Sequence, residues 1–327
     1  MNKTTVSGSP YAIGVQYGTI FKEKIADNLR ILVKRIGYGA PPVMDAPMVS
    51  WIEEQESIIA KAWPWMIEEM RGTAEGAAQT YADILQLNLR IWQYAYLKAS
   101  GNHTDSACSS LVITENNRTI ANVGALDDPS LYYCGVVHVV PDTGLPFLTF
   151  PIAGTCWGNR GVNAAGLAIG VSSMLVPGLR RNPGTIGSDF ALRALLQTCK
   201  TVADVRAFCS THSFAVNLVC TDASGEVLCA HQTTAGLFEL STVAPYAVTN
   251  HIVDDSIICE LVSLGAQLLQ ESPSTRLRRG RLLAFAAANN AKISGEAVRA
   301  FVAQRNAHDK SMTCPADNVV LTYCNSI

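Results

Sequence analysis

Cys108 stands in the stretch Thr104-Asp105-Ser106-Ala107-Cys108-Ser109-Ser110-Leu111-Val112-Ile113. There a helical spacing of apolar residues gives way to strand-like alternation. A cysteine at such a changeover becomes the first residue of a new chain if the protein cuts itself there. It would then carry a thiol and a free α-amine side by side, and a nucleophile beside a base is what covalent acyl transfer requires. An unperturbed α-amine titrates at about 7.7–8 and a thiol at about 8.5, so a proton passes between them almost without cost near neutrality. The amine can take the thiol proton and later return one to a leaving amine. Before any cut that amine does not exist, and the thiol needs other help. His103 and His251 are the histidines to weigh as partners for the thiol. His251 follows Asn250 directly, and adjacent side chains on a strand point to opposite faces. His103 would leave on the tail of the upstream fragment, so neither histidine is taken as the base. The other nine cysteines read as small buried apolar residues.

These groups must be positioned by two kinds of element. Upstream of Cys108 the pattern is helical: Ile13, Tyr17, Ile20, Phe21, Ile25, Leu29, Leu32, Val33 and Ile36 recur at spacings of mostly three and four. Gly14 and Gly18 sit inside that run, where small residues four apart admit a second backbone. Further helices are expected over 48–70, kinked at Pro64, and over 84–99, with a cap region at 81–83. Downstream the chain alternates. Strands are expected over 109–114, 118–126, 133–140, 145–150, 157–163 and 166–172. Helices follow over 189–198 and 202–210. Strands return over 215–221, 227–231, 237–240 and 246–248. Helices over 256–270, 275–288 and 294–304 precede a last strand at 318–323. Runs of helices and runs of strands, rather than strict alternation, indicate an α+β class.

With 327 residues, 48% hydrophobic and 16% charged, the chain can bury a large core. No linker or composition break divides it. A formal net charge of −2 and the lack of a basic stripe argue against nucleic acid and anionic membrane as partners. The most apolar stretch, about 161–179, is broken by Asn163, Ser172, Ser173 and Pro177 and does not read as a membrane span. The first residues lack an apolar signal region. Ten cysteines without one point to reduced thiols in the cytoplasm. No CxxC pair and six scattered histidines leave metal-ligand spacing absent.

Four pieces of the chain resemble the acyl-coenzyme A:6-aminopenicillanic-acid acyltransferase family of the N-terminal-nucleophile hydrolases. They are Gly8-Ser9-Pro10-Tyr11-Ala12-Ile13-Gly14-Val15-Gln16-Tyr17-Gly18, the surroundings of Cys108 with Gly158-Asn159-Arg160-Gly161-Val162-Asn163-Ala164-Ala165-Gly166-Leu167, then Val248-Thr249-Asn250-His251, and Ser274-Thr275-Arg276-Leu277. They come in the family's order, and the likeness runs along nearly the whole chain. The resemblance implies a four-layer αββα sandwich with two antiparallel sheets. It also implies an inactive precursor that cuts itself between Ala107 and Cys108. Residues 1–107 would form a helical α-chain and 108–327 the catalytic β-chain, both parts of one domain. Two residues depart from the family's pattern: Ala107 stands where Gly is typical, and Ser109 where Thr is typical.

Residue by residue, the resemblance makes Cys108 the nucleophile and Asn250 the donor of an amide hydrogen to the oxyanion. Asp127 would hold the new ammonium or position Arg276, although Asp128 fits that place equally and the family's usual Asn-Trp-Asp is missing. Arg276 would grip a carboxylate, with the Thr275 hydroxyl near the nucleophile. Arg278, Arg279 and Arg281 lie close by and read as a solvated helix face. The expected activity is cysteine-dependent amide hydrolysis or acyl transfer on an N-acyl small molecule, through a thioester on Cys108. No cofactor is implied, with acyl-coenzyme A as an optional co-substrate, and a homo-oligomer is compatible with the reading. Two other readings stay open. One is a relative of bile-salt and penicillin V hydrolases, disfavoured by the long upstream segment. The other is a binding protein that kept the fold without its chemistry.

Overall fold

The computed structural model describes residues 3–37, 46–89, 108–115, 118–125, 132–158, 160–174, 185–263, 273–289, 297, 301 and 319–322. In chain order the elements are β1 (Lys3–Gly8), α1 (Pro10–Ile20), α2 (Lys22–Gly37), α3 (Ala46–Ala62), α4 (Pro64–Ala77) and α5 (Tyr81–Asn88). Then come β2 (Ser110–Glu115), β3 (Arg118–Ala125), β4 (Val136–Pro141), β5 (Phe147–Thr149), β6 (Arg160–Asn163) and β7 (Ala168–Ser172). They are followed by α6 (Ser188–Thr198), α7 (Val202–Thr211), β8 (Val216–Thr221), β9 (Val227–Thr233), β10 (Gly236–Ser241) and β11 (Tyr246–Val248). The last are α8 (Asp255–Ser263), α9 (Pro273–Ala288) and β12 (Val319–Thr322).

The chain forms two compact units: 1–103 with 130–159 and 189–198, and 104–129 with 160–188 and 199–327. In the first, the long helical run of the sequence is two helices. Ser9 caps α1 by accepting from Ala12 N, and α1 stops at Phe21. Pro64 does not kink a helix but starts one, at the first position of α4, where its missing N–H costs nothing. α5 opens on a full capping box between Thr80 and Asp83. The glycine spacing noted above has a structural cause. A Cβ on Gly14 would lie 2.1 Å from Glu69 O, and one on Gly72 would lie 2.2 Å from Tyr11 O, so α1 and α4 touch backbone to backbone. Beside this crossing Arg193 Nη2 donates to Glu69 at 2.9 Å, both side chains buried, with Phe147 and Trp65 flanking the guanidinium. Strand β1, which the sequence reading did not anticipate, pairs in parallel with β4, and β4 pairs antiparallel with β5. Its signal was only Thr4-Thr5-Val6, a short β-branched run.

In the second unit, β6-β7-β8-β9-β10 form one antiparallel run and β11-β2-β3-β12 a second sheet. Val112 and Val248 of the second sheet pack against Val219, Val227 and Cys229 of the first. On the outer face of the second sheet, Leu111, Ile113 and Ala247 meet Leu282 and Ala286 of α9. α7 covers β9 and β10 from the other side. The layers are therefore helix, sheet, sheet, helix, an α+β αββα sandwich. Alternation along β2 assigns the faces: 111 and 113 look to α9, and 110 and 112 look between the sheets.

The segments 264–270 and most of 294–304, expected as helix, lie outside the described residues, as does 90–99. Among the described residues no helix is long and apolar enough to cross a membrane. Cys134, Cys156, Cys199, Cys209, Cys220 and Cys229 are buried like Cys108, but Cys259 is exposed on α8 against expectation. Burial pushes the Cys134 and Cys209 thiols up to about 12, which makes them inert core residues. Trp157 is also core: it is 2% exposed and its indole donates to Asn88 O at 3.1 Å.

Candidate active site

Cys108 lies just before β2 and is 1% exposed. β2 and β11 pair antiparallel with Val248 opposite Ser110. Continuing that register two residues beyond each partner brings Asn250 opposite Cys108. The side chain confirms the meeting: Cys108 N donates to Asn250 Oδ1 at 3.0 Å. Arg278 Nη2 donates to the same oxygen at 3.0 Å. Two donors on one atom identify it as the amide oxygen. Asn250 Nδ2 then donates to Ser173 O at 2.9 Å, at the end of β7. In the joined chain Asn250 therefore accepts from the Cys108 nitrogen. The expected donation to an oxyanion belongs to Nδ2, the other end of the same amide.

α9 supplies two site residues from one face, because Thr275 and Arg278 are three residues apart. Thr275 Oγ1 accepts from Asn250 N at 2.9 Å and lies 3.0 Å from His251 Nδ1. Thr275 O accepts from Thr249 Oγ1 at 3.0 Å. Arg278, 2% exposed, donates to Cys108 O and, at 2.7 Å, to Ser109 Oγ. Arg276 is exposed, and the arginine that meets Cys108 is Arg278. The expectation followed the family's adjacent pair, whereas helical spacing from Thr275 selects the residue one turn on. A fourth strand contributes the other cation. Arg160 opens β6, is 8% exposed, and its Nη2 stands 4.0 Å from Cys108 Sγ. Sequence reasoning quoted Arg160 within a motif without giving it a role. Its signal was a single basic residue in a strand otherwise of small and apolar type, Arg160-Gly161-Val162.

The turn carrying Asn250 is braced from behind. Asn217 Nδ2 donates to Thr249 O, and Asn217 Oδ1 meets His231 Nδ1. His231 Nε2 accepts from Val253 N at 3.0 Å, so its proton is on Nδ1 and the ring is neutral. Burial, with His251 nearby, pushes His231 down to about 4. His251 is buried and bonded to the hydroxyls of Thr249 and Thr275, which makes it part of the brace. The structure thus brings Cys108, Asn250 and Thr275 together, adds Arg278 and Arg160, and leaves Arg276 outside. Ala107, Asp127, Asp128 and His103 lie outside the described residues.

The family model described as acyl-coenzyme A:6-aminopenicillanic acid acyl-transferase matches residues 127–311, more than half of the chain. The matched span begins after Cys108. A curated relative is the 40 kDa form of the acyl-coenzyme A:6-aminopenicillanic-acid acyltransferase of Emericella nidulans, 26% identical over 205 residues. The match covers 61% of this chain and 54% of that protein, so the chain spans about half the length of the relative. Among solved structures, the Caenorhabditis elegans ortholog of N-acylethanolamine-hydrolyzing acid amidase is 12% identical, covering 62% of this chain and 88% of that one, at a TM-score of 0.45. Penicillin V acylase from Agrobacterium tumefaciens is 16% identical, covering 60% and 69%, at 0.40. At these scores the likeness assigns nothing further to this chain.

Proposed function

Since this chain belongs to the acyl-coenzyme A:6-aminopenicillanic acid acyl-transferase family, we propose that it is a self-processing cysteine amidase or acyltransferase of the N-terminal-nucleophile type. Its nucleophile is Cys108 and its substrate an N-acyl small molecule. The observation that carries this reading is the convergence on Cys108 of partners for its nitrogen, its sulfur and its carbonyl oxygen. Asn250 Oδ1 accepts from its nitrogen at 3.0 Å, Arg160 Nη2 faces its sulfur at 4.0 Å, and Arg278 donates to its carbonyl. A structural cysteine needs none of these.

In the precursor, the thiolate attacks the Ala107 carbonyl carbon. The sulfur–carbon bond forms, the bond from that carbon to the Cys108 nitrogen breaks, and the proton given up by the thiol ends on that nitrogen. Water then cleaves the thioester, leaving a carboxylate on Ala107 and a free amine on Cys108. Asn250 Oδ1 accepts from this nitrogen before and after the cut, so the amine is born already oriented. In turnover the amine takes the thiol proton, the sulfur attacks the substrate's acyl carbon, and the leaving amine departs with that proton. The acyl-enzyme passes to water or to a second amine, and acyl-coenzyme A can load it by thioester exchange. Arg278 and Thr275 are positioning residues, holding the Cys108 main chain and the Asn250 turn.

The test is to trap the intermediate. Processed protein mixed with an N-acyl substrate or an acyl-thioester and quenched in acid should gain one acyl mass on the peptide that begins at Cys108. Cys108→Ala should gain none and turn nothing over. Full turnover by that variant would remove the reading. Formation of a new amide when an amine is added to the acyl-thioester reaction marks transfer, and release of the free acid marks hydrolysis.

A further inference from the structure

The uncut chain poses a problem that the cut chain does not. Its first reaction needs a thiolate, yet the α-amine that would accept the thiol proton exists only after that reaction. Burial makes this worse, because a thiol at 1% exposure loses the hydration that stabilises its anion. Some fixed group must favour the charged sulfur from the start.

The structure assigns this role to Arg160: we propose that it is a catalytic residue whose guanidinium holds Cys108 as a thiolate in the uncut chain and so drives the first attack on the Ala107 carbonyl. The inference rests on Cys108 being the nucleophile. Three observations carry it. First, Arg160 Nη2 is 4.0 Å from Cys108 Sγ, within the range where an opposite charge favours ionisation strongly. Second, Arg160 is 8% exposed, so water screens the pair weakly. Third, among the described residues the other charged and titratable groups beside Cys108, Arg278 and His251, are directed elsewhere. Arg278 from α9 is directed to Cys108 O, Ser109 Oγ and Asn250 Oδ1. His251 is directed to the hydroxyls of Thr249 and Thr275. The two buried arginines thus divide the residue, Arg278 taking the main chain and Arg160 the sulfur. β6 is well suited to hold the cation still. Its first residue pairs with Gly170 of β7 in the antiparallel ladder, so the stem of Arg160 rises from a fixed strand and not from a loop.

The experiment follows the alkylation of Cys108 by iodoacetamide against pH in freshly made protein, read by mass spectrometry of the peptide that still joins Ala107 to Cys108. Wild type, Arg160→Met, Arg160→Gln and Arg160→Lys are compared. The midpoint of the rate should rise by about one pH unit or more in the two neutral variants, with self-cleavage at pH 7 slowed about tenfold. Arg160→Lys keeps a cation near the sulfur and should stay within about half a unit of wild type. A neutral variant that melts like wild type and shows an unchanged midpoint overturns the proposal. Should both neutral variants fail to fold, the alkylation midpoint of Cys108 in the uncut wild-type chain decides. A midpoint below the ordinary thiol value of about 8.5 supports the role, and one at or above it overturns the role. The two ideas fail separately. Full turnover by Cys108→Ala removes the nucleophile reading, whereas an unmoved midpoint removes only the part given to Arg160.

Discussion

A cysteine with a bonded nitrogen, a cation at its sulfur and a cation at its carbonyl makes sharp demands on substitution. Cys108→Ala should end both self-cleavage and turnover with little change in melting temperature, because the side chain lost is small. Cys108→Ser should still cut, slowly, since a hydroxyl makes the same attack less well. The arginines of α9 separate by one turn of helix. Arg278→Leu removes charged hydrogen bonds to Cys108 O, Ser109 Oγ and Asn250 Oδ1. Each such bond is worth roughly 1.5–3 kcal/mol, so turnover should fall by about a hundredfold or more. Arg276→Ala, on the exposed side, should leave turnover within about twofold. Equal losses in the two would contradict the assignment of Arg278 to the site. At this scale the sequence placed Cys108 at a change of pattern and Asn250 just after a strand, and the structure brings the two together. The sequence was not legible where the answer depends on which way a side chain turns. Arg276 and Arg278 are the same residue type two positions apart, and only the packing of Thr275 against Thr249 selects between them. Arg160 meets Cys108 across 52 residues of chain, a contact no local pattern encodes.

Element by element, the physics is that of close packing and of one buried neutral ring. Gly14→Ala drives a Cβ to 2.1 Å from Glu69 O, and the atom in the way is backbone on a packed helix. The variant should lose at least about 2 kcal/mol in chemical denaturation. Gly280→Ala is the matching control. Nothing lies within 4 Å of a Cβ built there in α9, so the variant should gain about 0.5–1 kcal/mol from helix propensity alone. The brace of β8, β9 and the turn after β11 predicts a pH dependence. His231 is held down to about 4, first by burial and then by His251. In the unfolded chain it titrates at about 6.5. A depressed pKa means that the unfolded state binds the proton first, so this contribution is complete above about 6.5 and is lost as pH falls toward 4. Urea midpoints should therefore drop across that window. Asn217→Ala leaves the ring still buried but frees Thr249 O from its donor, and should slow turnover more than it lowers the melting temperature. The helix periods and the glycine pair were readable beforehand because each is local, whereas the breaks at Phe21 and Pro64 were not, and the cap expected over 81–83 lies one residue earlier, at Thr80. Strand β1 was not readable either, since three β-branched residues become a strand only when β4 offers an edge.

For the molecule as a whole, the order of helices and strands carried the α+β class, and the sandwich follows from strands buried on both faces. β7, β8 and β9 are buried along their whole length, as layers covered by a sheet on one side and a helix on the other must be. What composition could not convey is which cysteine of the ten meets charged side chains. Burial is the main cause that pushes Cys134 and Cys209 up to about 12, whereas the two arginines at Cys108 arrive from distant segments. All of the proposed chemistry requires that the chain of 35.1 kDa becomes two. The most direct measurement is the intact mass of purified, catalytically active protein together with the terminal residue of each fragment. The account predicts two masses, for residues 1–107 and 108–327, with an unblocked cysteine opening the second. A single active species that retains the bond between Ala107 and Cys108 would contradict it.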